Sequence, residues 1–500
     1  MRKFVSSKDR TRAVNAFTAI TQGLSPDGGL YTPVNLKEST LSIKELEKLD
    51  YKQLATTIIS TIFDDFTLEE TKEIVEKAYG HTFMADDITP LEKVGKDAVL
   101  KLYYGPTGAF KDVALTILPH LLVASYKKLH LNQEICILTA TSGDTGKAAL
   151  EGFKDVEHTH ILVFYPEIGV SKTQKRQMQT TTGSNTKVVA MQGDFDTCQS
   201  LVKAAYQDPA VKELCSDQVV LSSANSINIG RLVPQIVYYF KAYNDLLADG
   251  TITCGEQVHF SVPTGNFGDI LAGYYAKCLG LPIGKLICAS NSNHVLTDFI
   301  ATGVYDRNRT FLPTTSPSMD ILVSSNLERL LFEFSGYDSD LIKSYMQDLN
   351  TRGRYEVKDS IKKEIKHHFC GYYTKEEDVI KTIQSVYHDH HLVLDPHTAV
   401  AYHAKLQYQK EHPKDATVCV VLSTASPYKF SSTVMKSIAG KEFENDRDNM
   451  EALTGYCSET LPDYFSNLYD LPLLHTEVIT KELGMKTIAA FLSEAKGEPV

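Results

Sequence analysis

Gly105-Pro106-Thr107-Gly108-Ala109-Phe110-Lys111-Asp112 decides how the rest of this chain is read. Gly105, Pro106 and Gly108 turn the backbone tightly and deliver Lys111 to the start of a helix. Asp112 suits the first helical turn, where its charge faces the positive end of the dipole. A lysine placed there sits beside exposed amide groups and away from bulk water. Desolvation and positive potential both lower its pKa and favour the neutral amine. A neutral amine can attack an aldehyde and form a Schiff base. Read alone, the octapeptide also fits a surface loop that happens to carry a lysine. The surrounding chain decides between the two.

Working outward, residues 99–104 read as a strand that enters this loop. From about 130 to 225 strands and helices alternate. Residues 135–138, 160–165 and 186–191 are short apolar strands; 172–182 and 196–206 have helical spacing. From about 226 the alternation resumes on a larger scale. A helix over 231–248 precedes strands at 258–262 and 286–289. Helices follow at 327–334 and 361–369, and a strand at 417–422. Strand and helix in alternation mean βαβ units and parallel sheets. Before the lysine loop, residues 41–49, 51–63 and 67–79 have apolar positions at helical spacing. The reading is therefore an α/β protein of two parallel-sheet lobes plus a mainly helical N-terminal cap. The cap takes residues 1–92. The region 93–500 divides into a smaller lobe at about 130–225 and a larger one from 93–129 and 226–500. No internal repeat or low-complexity tract interrupts it.

Composition excludes several classes of function. Five hundred residues suggest about two to four domains. A net charge of −11 argues against a nucleic-acid surface. No apolar run approaches the roughly 18 residues that span a bilayer, and residues 1–7 lack the apolar core of a signal peptide. The nine cysteines are scattered from Cys136 to Cys457 with no CxxC pair, which fits reduced thiols and a cytoplasmic setting. His388, His390, His391 and His397 crowd together, but their spacing is not that of a helical zinc pair and no cysteine is near. They read as a solvated loop, with no metal.

Three loops leave the C-terminal ends of strands, where open α/β sheets bind ligands. Pro263-Thr264-Gly265-Asn266-Phe267-Gly268-Asp269 reads as an anion site. Its glycines let the backbone approach a ligand, and the following helix points free amides at it. A phosphate monoester fits without any arginine; an ordinary strand-to-helix turn fits too. Thr141-Ser142-Gly143-Asp144-Thr145-Gly146 is a second amide-rich turn that suits a carboxylate. Asp144 would repel that anion, and would instead bond a hydroxyl or cap the helix. Thr424, in Ser423-Thr424-Ala425-Ser426-Pro427, offers a neutral hydroxyl or a strand-end cap.

In that order, the motif Gly-Pro-Thr-x-Ala-Phe-Lys-Asp, the two loops and the Thr424 segment resemble the threonine synthase family. These are pyridoxal-phosphate enzymes of fold type II, built like the tryptophan synthase β subunit. The resemblance spans nearly the whole chain. It includes Gly23-Leu24-Ser25-Pro26-Asp27-Gly28-Gly29-Leu30, Asn225-Ser226-Ile227-Asn228-Ile229-Gly230-Arg231, Ser316-Pro317-Ser318-Met319-Asp320 and Asp395-Pro396-His397-Thr398-Ala399. Length and the separate cap resemble the branch without a regulatory adenosylmethionine site. The resemblance implies pyridoxal 5'-phosphate held covalently by Lys111, which would also serve as acid and base. Gly265, Asn266, Phe267, Gly268 and Asp269 would surround the cofactor's phosphate, and Thr424 would face its pyridine nitrogen. Ser142, Gly143, Asp144 and Thr145 would meet the substrate's amino-acid end. Asn228 and Arg231, or in reserve Lys175 or Arg176, would meet the substrate's phosphate. The implied reaction is a lyase reaction in which O-phosphohomoserine and water give threonine and phosphate. A phospholyase releasing 2-oxobutyrate and a non-catalytic relative are the alternatives. The implied assembly is a monomer or homodimer. The pattern departs at Lys101, Tyr104 and Gly108, which ring the lysine loop and bear on pocket shape.

Overall fold

The alternation read from the sequence appears as two parallel sheets. The computed structural model describes residues 1–497 apart from 85, 86, 142, 169, 216 and 217.

In the cap, Tyr51–Ile62 and Leu68–Tyr79 each begin with a capping box, Asp50 with Gln53 and Thr67 with Glu70. Each box satisfies two amides that a helix start leaves unpaired. Their apolar faces, including Ile58, Ile59, Ile62, Ile74 and Val75, are buried. The cap also holds strands β1 (Phe4–Ser6), β2 (Asp9–Val14) and β3 (Tyr31–Pro33), paired antiparallel in the order β2-β1-β3. A purely helical reading missed them for a physical reason. β1 and β3 are three residues long, and β2 is polar and largely exposed, so no period-two apolar pattern arises.

β4 (Leu91–Val94) and β5 (Asp97–Lys101) form a hairpin that runs into the lysine loop. The smaller lobe follows with β6 (Glu134–Ala140), β7 (Thr159–Pro166), β8 (Thr186–Met191) and β9 (Val219–Ser222). The chain then returns to the larger lobe through β10 (Val258–Pro263) and β11 (Ile283–Ser290). A short ribbon of β12 (Val304–Asp306) and β13 (Arg354–Glu356) precedes β14 (Phe369–Tyr373) and β15 (Cys419–Ser423). The larger sheet has the order β14-β11-β10-β15-β5-β4 and is parallel except for β4.

The last strand, β16 (Val478–Ile479), corrects the lobe boundary. It pairs parallel with β8, giving the smaller sheet the order β16-β8-β7-β6-β9. The helix Lys481–Ala495 then lays Ile488, Phe491 and Leu492 on the core formed by Val189, Cys198 and Leu201. Residues 478–495 therefore belong with the smaller lobe. An uncovered β8 would present a row of unpaired backbone groups, but a two-residue strand leaves no pattern to read.

Two further differences have local causes. The helix read over 231–248 is broken into Ile229–Leu232, a 3-10 turn at Val233–Gln235, and Ile236–Ala248. Pro234 supplies no N–H to a continuous helix. The histidines are not in one loop. His388 and His390 end the helix Glu376–His390, and His391 is its left-handed cap with φ 54°. His397 is buried in the next helix, Pro396–Glu411. Among the described residues no three His, Cys, Asp or Glu side chains are grouped to hold a metal, and no helix is long and apolar enough to cross a membrane.

Candidate active site

The lysine loop is closed by its own aspartate. Asp112 accepts from the Thr107 amide at 2.9 Å and from the Thr107 hydroxyl at 2.6 Å. A Cβ on Gly105 would lie 2.6 Å from Asp112 Oδ2, so only glycine lets this clamp form. Gly108 has φ +72°, a conformation that side chains resist, and a Cβ there would lie 3.0 Å from Phe465 Cζ. Burial pushes the Asp112 carboxyl up to about 6, against the two Thr107 bonds that lower it.

Lys111 opens the helix Lys111–Leu115 with its side chain 11% exposed. Its Nζ lies 3.4 Å from Ser318 Oγ and 3.8 Å from Asp144 Oδ2. Desolvation brings its pKa down to about 8; Arg231 and Lys429 push the same way, while Asp144 and Asp112 oppose. The neutral, reactive amine predominates above that value. Capture of an aldehyde by Lys111 is thus expected to rise with pH and level off above about 8, where an ordinary lysine levels off above 10.5. Stopped-flow absorbance across pH 6 to about 11 checks this.

The turn at 141–146 is less open than its sequence suggests. Thr141 Oγ1 accepts from the amides of Gly143 at 3.0 Å and Gly146 at 2.9 Å. Gly143 has φ +154°, which side chains rarely adopt, and a Cβ there would lie 2.6 Å from the Gln174 carboxamide that bonds Asp144. Ser142 lies outside the described residues. Thr145 is partly exposed beside them. Asp144 has four partners. Oδ1 takes Lys429 Nζ at 2.8 Å and Gln174 Nε2 at 2.7 Å; Oδ2 takes Ser318 Oγ at 3.1 Å and faces Lys111. Burial alone would raise its pKa, but Lys429 first and then Lys111 hold it well below the carboxylate range. It is a fixed negative charge.

The 263–269 loop forms an amide crevice. Ser324 Oγ donates to the Gly265 carbonyl at 2.8 Å, and Asn326 donates to the Asn266 carbonyl from both its backbone and side-chain nitrogens at 3.0 Å. A peptide N–H points opposite to the carbonyl of the same plane, so the amides of Asn266 and Phe267 face away from residues 324–326. Among the described residues no acceptor is paired with the amides of Asn266, Phe267 or Gly268. Phe267 takes φ +62° to start the helix Gly268–Cys278. The Asp269 carboxylate is turned elsewhere, onto the hydroxyls of Tyr238 at 2.5 Å and Tyr239 at 2.9 Å. Both hydroxyls meet Oδ1, and Oδ2 is buried without a partner among the described residues.

Ser318 joins the two halves. Its Oγ meets Lys111 and Asp144, and its carbonyl oxygen lies 2.7 Å from where a Gly265 Cβ would stand. Ser318 therefore packs against both Lys111 and the loop that starts at Gly265. His397 Nε2 accepts from the Ser318 amide at 3.2 Å, while His397 Nδ1 and Asp395 Oδ1 are 2.8 Å apart. That relay fixes the Ser318 backbone. Thr424 arrives from the end of β15, where its carbonyl accepts from the Phe110 amide at 2.9 Å. Its hydroxyl makes no hydrogen bond to another described residue.

The cation assignments divide. Asn228 has no donor to spare: its Nδ2 serves the carbonyls of Ile20 and Ser223, and its Oδ1 caps Gly230 at 2.9 Å. It caps the helix that carries Arg231, with its side chain already hydrogen-bonded. Arg231 is buried, donates to the Ala224 carbonyl at 2.9 Å, and leaves Nε without a partner. Desolvation brings its pKa down to about 10, and no carboxylate pairs with it among the described residues. Arg176 is occupied by the carbonyls of Leu468, Tyr469 and Leu471; Lys175 is partly exposed on the same helix. Lys101 is tied to Glu92 and Glu459, and Tyr104 stacks on Tyr103 at 5.5 Å. Lys429 escaped sequence reading altogether. The one available signal was a charge set between Tyr428 and Phe430, five residues past Thr424.

Comparison with known proteins places this geometry. Three family models match in succession: Threonine synthase N terminus over residues 3–79, Pyridoxal-phosphate dependent enzyme over 84–424, and Threonine synthase, C-terminal over 398–487. Threonine synthase of Pseudomonas aeruginosa is 38% identical over 442 residues, covering 88% of this chain and 91% of its own. Threonine synthase-like 1 of Homo sapiens is 37% identical over 454 residues, 87% of this chain; the chain spans 60% of that relative's length. The crystal structure of PLP-bound threonine synthase from Brucella melitensis superposes with a TM-score of 0.87 at 34% identity, covering 99% of this chain and 100% of the other. The yeast threonine synthase structure also gives 0.87, at 30% identity, over 98% of this chain and 99% of its own. With most of its length matched by relatives well above 30% identity, the chain belongs to the threonine synthase family of pyridoxal-phosphate-dependent enzymes.

Proposed function

We propose that this protein binds pyridoxal 5'-phosphate and converts O-phosphohomoserine and water to threonine and phosphate. The observation that carries the reading is Ser318, whose hydroxyl touches Lys111 and whose carbonyl backs the Gly265 crevice. The residues fit the cofactor. Unpaired amides at Asn266, Phe267 and Gly268 suit its phosphate at the start of a helix. Lys111 supplies an amine shifted toward its neutral form, and Thr424 a neutral hydroxyl. When bound, the cofactor supplies an electron sink for charge that develops beside the substrate's amino group.

The chain's own residues do the rest. Lys111 would hold the cofactor, and its amine takes and returns protons, work that needs a pKa near the operating pH. Asp144 stays charged, and through Ser318 Oγ it orients the lysine amine. Arg231 is the cation for the substrate's phosphate. Its Nε is a buried donor without a partner, which an anion would satisfy. The nine unpaired cysteines support a cytoplasmic setting.

Purified protein with cofactor and O-phosphohomoserine should release phosphate and threonine in equal amounts, read by phosphate colorimetry and amino-acid analysis. Phosphate accompanied by 2-oxobutyrate would replace the reading with a phospholyase. No phosphate release, together with no cofactor absorbance, would replace it with a non-catalytic relative.

A further inference from the structure

Lys429 is a fully buried ammonium, its side chain 0% exposed. Burying such a charge is costly unless it is paired and hydrogen-bonded. It has two partners, Asp144 Oδ1 at 2.8 Å and the Thr107 carbonyl at 2.9 Å. The second lies in the lysine loop; the first is the carboxylate that faces Lys111. Asp144 thus stands between two lysines but does not divide itself evenly. It is in hydrogen-bond contact with Lys429 and only in ion-pair range of Lys111, at 3.8 Å, with Ser318 Oγ between them. The groups acting on Lys111 are Asp144, Arg231, Lys429 and Asp112. Asp112 is held by Thr107, and Arg231 adds positive charge. Asp144 is the carboxylate nearest to the lysine amine, and the one that could hold it as an ammonium.

We propose that Lys429 is a positioning residue for the reaction: by claiming the charge of Asp144, it leaves the amine of Lys111 free to react in its uncharged form. The sequence turn at 141–146 accordingly serves two ends. Its aspartate neutralises Lys429 rather than repelling a substrate anion. Its hold on Ser318 keeps the Lys111 amine aimed. The proposal rests on Lys111 being the reactive amine, and its test uses no substrate, so it stands or falls apart from the product assay.

The test is the pH dependence of Lys111 modification by trinitrobenzenesulfonate in the full chain stripped of cofactor, read by peptide mass spectrometry. Removal of one positive neighbour and release of Asp144 act in the same direction. Lys429→Met is expected to move the midpoint upward by about one pH unit, so that labelling at neutral pH falls about tenfold. Lys429→Arg, which keeps the charge, should restore most of it. A folded Lys429→Met protein with an unchanged midpoint overturns the proposal. Lys429 also holds the Thr107 carbonyl, and should Lys429→Met fail to fold, the comparison is made between the parent and Asp144→Asn with Lys429→Met. The double variant removes both members of the pair and leaves no lone buried charge between them. On this proposal the pair is close to neutral toward Lys111, so the midpoint should stay within about half a pH unit of the parent's; a larger fall, meaning that Asp144 had been holding Lys111 as an ammonium, overturns the proposal.

Discussion

Lys111→Ala is expected to lower phosphate release from O-phosphohomoserine by about 10⁴-fold, the upper end of what one positioned acid–base contributes. The same substitution should abolish the visible absorbance that covalent attachment gives the cofactor. The fold should survive it. Lys111 makes one 3.4 Å contact to Ser318 Oγ and one 3.8 Å ion pair to Asp144, while Lys429 already satisfies that carboxylate. Removing an ammonium that burial disfavours should therefore cost little stability, and circular dichroism on heating checks this. Cofactor absorbance that persists in the variant at full intensity would move the anchor to another residue.

Gly152→Ala sets two effects against each other. In the interior of the helix Asp144–Phe153, alanine is the better helix former by about 1 kcal/mol. Against that, its Cβ would lie 2.7 Å from the carbonyl carbon of Leu115 and closer still to the oxygen. That atom is main chain and cannot rotate away. Overpacking of this kind costs about 1–3 kcal/mol and sometimes more, so the clash wins. Leu115 ends the short helix that begins with Lys111, so relief of the clash is expected to displace the Lys111 amine. A shift of about 1 Å at a reacting group costs on the order of 10²-fold in rate. The expected result is a lower melting temperature together with about a hundredfold loss of turnover. A variant as active and as stable as the parent would mean that the two helices part without moving Lys111.

Some of this was legible before any coordinates. Gly105, Pro106 and Gly108 mark a turn through backbone chemistry that is local, and Gly265 and Gly268 mark another for the same reason. Strands β6, β7 and β8 were legible because a strand buried on both faces is a short apolar run. What escaped depends on partners far away in the chain. Asn228 looked like a phosphate ligand beside Arg231, but its amide is spent on Ile20, 208 residues earlier. Asp144 looked like an obstacle to an anion until Lys429 appeared beside it. His397 looked like one of four clustered histidines; the next helix buries it against Ser318. No periodicity encodes such pairs, because each is set by how strands are ordered in a sheet rather than by neighbours in sequence.

The pairing of β16 with β8 has a consequence for biogenesis. Most of the smaller lobe leaves the ribosome before residue 225, yet its fifth strand and the helix that covers Val189, Cys198 and Leu201 are made only after the strands of the larger lobe. While the larger lobe is being translated, the nascent chain carries an open sheet margin and a bare apolar face, the kind of surface that chaperones capture and that aggregates when they do not.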